Sequence, residues 1–169
     1  LQVLAGNCYL GEIRYRTGRV REALSVFCRC VVECEEHGLY RGLCLFCSNA
    51  ALAAFDLGED ETAKEYLRKA RHYFEGSELR RANAVGLALL ALFALREGKD
   101  DEAISFWESA GNLCVSLRKK SWVAACCRIR DVLERELEAG HLSGQRKNTT
   151  TLNAFSAHCR TFKEVCGDD

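Results

Sequence analysis

The sequence predicts an all-α protein, an α-solenoid of antiparallel helix hairpins with a C-terminal capping helix. Three observations carry this. The chain repeats itself at a period of 40 residues: Gly18, Gly58 and Gly98 coincide, then Ala23, Ala63 and Ala103, then Phe27, Leu67 and Trp107, then Cys30, Ala70 and Ala110. Self-similarity at such a period marks a stack of small units, each burying its apolar face against its neighbours. The chain also has no proline in 169 residues, although 48% are hydrophobic; helices joined by short glycine turns need none, whereas strand-and-loop proteins rarely avoid it. Finally, apolar residues on both sides of each repeated glycine recur at helical spacing.

Each unit therefore reads as a helix A, a glycine turn and a helix B. The glycine supplies a positive φ that ends helix A. In the second and third copies, Glu59–Asp60–Glu61 and Asp100–Asp101–Glu102 follow it, where acidic side chains complement the positive end of a starting helix. The alanine allows A and B to approach closely, and the bulky residue one turn later fills the space between hairpins. Helices are expected near 2–16, 20–36, 40–57, 60–74, 78–97, 100–117 and 120–138. They group into units at about 1–38, 39–76 and 77–118, with a half unit at 119–139, so that 1–140 forms the array. A polar linker is expected over 141–150. Within 151–169, Leu152, Phe155, Cys159, Phe162 and Cys166 mark one face of a last helix, which would cap the terminal core.

Lysine plus arginine and aspartate plus glutamate both number 24, so no net charge draws the domain to nucleic acid or anionic lipid. The longest apolar run, Ala84 to Leu95, has 12 residues, well short of the roughly 20 that span a bilayer; it reads as a buried helix. The chain opens on Leu1 and contains no methionine, so it is expected to be a piece of a longer protein, with further domains of the same chain among its candidate partners. Eleven cysteines sit in helical apolar patterns rather than loops, which fits reduced thiols and a cytoplasmic location.

With these columns in view, the chain resembles a tetratricopeptide repeat array. The best copy carries Leu10-Gly11, Tyr15, Gly18, Glu22-Ala23 and Phe27, with Cys30 where the family usually has alanine. The second and third copies depart from it, with Ala50-Ala51 and Leu90-Ala91 in place of Leu-Gly. The period exceeds the family's usual 34 or so, similar to the lengthened repeats of maltose-regulator-type bacterial transcription activators and of some eukaryotic scaffold proteins. The resemblance implies a concave groove, lined by the A helices, that receives a peptide or partner helix. Counted from the glycine column, the groove would hold Cys8, Glu12 and Tyr15, then Ser48, Leu52 and Phe55, then Ala88, Leu92 and Leu95. Leu52, Phe55, Leu92 and Leu95 would supply burial, Tyr15 an aromatic anchor, and Glu12, Arg16 and Asp56 orienting charges. The family's carboxylate clamp is missing, although Asn49 and Arg16 lie near its positions.

Cys30 and Cys34 are one turn apart, as are Cys44 and Cys47, and a hairpin centred near Gly38 would set the pairs opposite each other. Four converging thiolates would suit a structural zinc; the plainer reading is cysteine as a small apolar residue between close helices, with no metal and no cofactor. The four histidines, His37, His72, His141 and His158, are scattered without a nucleophile or ligand partner. The expectation is a non-catalytic protein-interaction scaffold for an apolar or amphipathic segment, touching neither nucleic acid nor membrane. The alternative is a ligand- or peptide-responsive regulatory segment of a bacterial transcription regulator.

Overall fold

A computed structural model describes residues 2–74, 80–115 and 120–142, with side chains over 4–71, 82–113 and 124–140. Among the described residues the protein is all-helical. Its helices are α1 (Gln2–Arg16), α2 (Val20–Glu36), α3 (Tyr40–Asp56), α4 (Asp60–Phe74), α5 (Arg80–Arg96), α6 (Asp100–Val115) and α7 (Lys120–Leu142). They start and stop within two residues of the expected bounds, except that α7 runs on to Leu142, into the stretch expected to be linker. The rest of that linker and the expected capping helix over 151–169 lie outside the described residues.

The glycine turns do what their spacing requires. Gly18, Gly58 and Gly98 have φ of 79°, 73° and 73°, and Gly38 has 63°. At Gly18 the amide donates to the Tyr15 carbonyl at 3.1 Å, and the next amide, Arg19, reaches back to Arg14 at 2.8 Å. The same pair recurs after α3 (Gly58 to Phe55, Glu59 to Ala54) and after α5 (Gly98 to Leu95, Lys99 to Ala94). This left-handed cap satisfies the last carbonyls of one helix before the next begins. Asp60 and Glu61 then open α4, and Asp100, Asp101 and Glu102 open α6.

The repeated columns form the interior. Ala23, Ala63 and Ala103 are fully buried, as are Leu67 and Trp107, Cys30, Ala70 and Ala110, while Phe27 retains 2% exposure. α1 packs against α2, α2 against α3 and α3 against α4. Two glycines allow those approaches. A β-carbon at Gly11 would run into the Phe27 ring, and one at Gly42 would sit 2.6 Å from Cys34 Sγ. Eleven of the 17 residues of α3 are buried, which is the behaviour of a helix that is apolar all round.

The chain divides into two compact units, Leu1–Gly86 and Leu87–Asp169, the division falling inside α5. The core of the first centres on Phe27, Val31, Phe46 and Leu67; that of the second on Leu89, Leu92, Leu95, Trp107, Ile129 and Leu133. No helix among the described residues is long and apolar enough to cross a membrane.

Candidate functional site

In the first unit, α1 and α3 are tied together at their C-terminal ends, where the Tyr15 hydroxyl donates to Asp56 Oδ2. Towards their N-terminal ends they leave a cleft of about 640 Å3. One wall is Leu4, Ala5, Cys8 and Tyr9 of α1; the other is Tyr40, Leu45 and Phe46 of α3. The last turn of α2 and its glycine turn close the end, through Cys34, Gly38 and Leu39. Tyr9 and Tyr40 are largely exposed, at 69% and 61%, so the cleft has an apolar interior and an aromatic rim. Among the described residues lining it, Arg41 is the one that is charged.

Sequence order explains this placement. Leu4, Cys8 and, one turn further, Glu12 follow the helical step along α1, so the face that meets α3 is apolar at its N-terminal end and charged at its C-terminal end. Gly38 ends α2 with a positive φ, which sets Tyr40 at the start of α3 beside the opening. The absent side chain at Gly42 lets Cys34 form part of the wall.

Both wall thiols resist ionisation. Burial raises the Cys34 thiol, helped by Glu33, and burial raises Cys8, helped by the Glu12 carboxylate. Neutral thiols suit apolar contact rather than nucleophilic chemistry.

Within the first unit the predicted groove residues differ in exposure. Glu12 and Arg16 pair with each other at 3.6 Å along α1, in the last turns of the helix that also carries Tyr15. Phe55 is half-buried. Ser48, Asn49 and Leu52 lie inside α3's packing, at 0%, 5% and 5% exposure, and Leu92 and Leu95 are fully buried in the second unit. These five side chains are buried, α3 and α5 being enclosed on nearly every side. Ser48 Oγ and Asn49 Nδ2 find no hydrogen-bond partner there. Of the residues the spacing assigned to the groove, Cys8 lines the cleft.

Leu4, Tyr9, Tyr40, Leu45 and Phe46 were not singled out by the sequence. The readable signal was Gly38 and Gly42, two glycines four residues apart bracketing a tyrosine, which permit a close approach and a bend at one place.

The zinc arrangement does not form. Cys30, Cys34, Cys44 and Cys47 are buried free thiols; the Cys44 thiol donates to Asn83 Oδ1 at 3.1 Å, and Cys34 sits against Gly42. Burial pushes Cys30 up to about 11 and Cys47 up to about 12, so without a metal both are neutral thiols. Among the described residues no three His, Cys, Asp or Glu side chains are grouped to hold a metal. Among the described cysteines Cys127 is disulfide-bonded, which departs from the expectation of reduced thiols.

Comparison with protein-family models, with curated proteins and with solved structures found no match.

Proposed function

We propose that this chain is a non-catalytic interaction module of stacked helical hairpins that binds an apolar or amphipathic segment of another protein in the cleft between α1 and α3. The observation that carries the reading is the cleft itself: about 640 Å3, open at the surface, apolar within and rimmed by two exposed tyrosines. Sites that accept ligands or anchor side chains have volumes of roughly 300–1,000 Å3, and exposed apolar surface edged by tyrosine marks contact with a partner.

The stacking is an α-solenoid of antiparallel hairpins resembling tetratricopeptide repeats. It is supported by side-chain contacts that recur about one period apart. Tyr15 reaches Asp56, 41 residues on; Cys44 reaches Asn83 after 39; the Tyr66 hydroxyl meets Cys28 Sγ at 2.9 Å after 38; and Arg96 pairs with Glu136 after 40. Contacts at one repeat length are what a stack of neighbours produces.

Selection of a displayed peptide library on the full chain tests the reading. It should return peptides with apolar residues at three- and four-residue spacing. Their affinity should fall about tenfold when Ala5→Trp fills the cleft or Tyr40→Asp charges its rim, as expected for a central anchor position. A library that yields no binder, or binders indifferent to both substitutions, would sink it.

A further inference from the structure

An apolar cleft open to water should close, because burying its walls is favourable. In the first unit something holds α1 away from α3 at one end only, and the contacts along α1 identify it. At Gly11 the helix rests on α2 without clearance, since a β-carbon there would run into the Phe27 ring, which is itself 2% exposed. One turn later the Tyr15 hydroxyl donates to Asp56 Oδ2, on the last residue of α3. Arg14 pairs with Glu22 of α2 at 3.6 Å, again beyond Gly11. The α1 residues that line the cleft, Leu4, Ala5, Cys8 and Tyr9, all come before it.

The helix is thus pinned near its middle and tied to α3 at its C-terminal end. With 15 residues it is a rod of about 22 Å, and a turn about Gly11 moves its two ends in opposite directions. Tyr15 held against α3 carries Leu4 and Cys8 away from Leu45 and Phe46. With Tyr15 released, the N-terminal arm can swing towards α3 and the apolar walls can meet. That arm, Gly11 to Leu4, spans seven residues and the arm to Tyr15 four, so a displacement at the tie is enlarged roughly twofold at the cleft.

We propose that the Tyr15–Asp56 hydrogen bond is a positioning device that props the cleft open, and that it sets the affinity of the cleft for its partner from the opposite end of α1. Neither residue lines the cleft, so both act on an occupant only through α1. The effect on binding rests on the cleft being the partner site; the effect on its aperture does not.

Cys8 reports the aperture, as a half-exposed thiol in the cleft wall. Cys28 is the reference: it is also half-exposed, but it lies on α2 where Tyr66 of α4 donates to its sulfur at 2.9 Å. The test is alkylation of the full chain by N-ethylmaleimide at fixed pH, read thiol by thiol by mass spectrometry. Tyr15→Phe should slow Cys8 relative to Cys28 about threefold, the scale of one hydrogen bond's net contribution. Asp56→Ala should slow it equally, and the double variant no further, because both remove the same bond. A merely stabilising contact gives the opposite sign: its loss would speed Cys8 and expose the buried Cys47 as well. Cys8 unchanged or faster, or two single effects that add, overturns the proposal. Peptides selected for the cleft should lose affinity by the same factor in Tyr15→Phe. A slower Cys8 with peptide affinity unchanged would support the prop and place the peptide outside the cleft.

Discussion

At Gly42 the spacing of two helices is decided by a missing side chain. Its hydrogen faces Cys34 Sγ, and a β-carbon would be 2.6 Å from that sulfur. Overpacking of this kind costs about 1–3 kcal/mol, so Gly42→Ala should lower stability by that amount in chemical denaturation. Combining it with Cys34→Ala removes the obstructing sulfur, and the double variant should lose less than the sum of the two single losses. Simple additivity would mean that α2 and α3 are not held apart at this point. The turn glycines have a different constraint. Nothing lies near a β-carbon at Gly18, Gly58 or Gly98; the demand there is the positive φ, which an L-residue meets at a cost of about 1–2 kcal/mol.

Among the helices, sequence pattern is a better guide to boundaries than to faces. α2 and α4 have distinct apolar and polar sides, so their inward residues, Ala23, Phe27 and Cys30 or Ala63, Leu67 and Ala70, are legible from spacing alone. α3 and α5 have almost no polar side. Spacing can number their faces but cannot say which is covered, and for that reason Leu52, Leu92 and Leu95 are candidates for an open groove in the sequence and core in the fold. A consequence separates the two roles. Leu92→Asp places a carboxylate at a site with no exposure, which costs several kcal/mol when unpaired. It should reduce helical circular dichroism and the midpoint of thermal unfolding in the chain alone, without any partner. An unchanged spectrum and midpoint would return Leu92 to the surface. Ala5→Trp, on exposed α1 surface, should preserve both.

Over the whole molecule, buried thiols give stability a dependence on alkaline pH. Burial raises Cys30 from 9.0 to about 11 and Cys47 from 9.0 to about 12. The folded state keeps these protons where the unfolded chain begins to release them, so unfolding releases protons above about pH 9. The contribution is complete below the unfolded value and is lost as pH rises through the folded values. Stability measured by urea denaturation should therefore be lower at about pH 10.5 than at about pH 8, and Cys30→Ala with Cys47→Ala should flatten that slope. An equal slope in the variant would mean that other groups carry it. Burial also raises Tyr66, with its bond to Cys28 adding to the effect, and acts in the same direction.

The sequence by itself determined the helical class, the positions of the seven helices and the identity of the packing columns. These are local properties: a glycine at positive φ, acids after it, and apolar residues at helical steps act within a turn or two of chain. The cleft and the uncovered side of α1 were decided only in the tertiary structure. Tyr9 and Asn49 occupy the same register position, yet one is exposed and the other buried, because burial depends on what packs against the helix and not on the helix itself. Leu4 and Phe46 likewise become one site only when α1 and α3 are brought side by side, an arrangement that no spacing within either helix encodes.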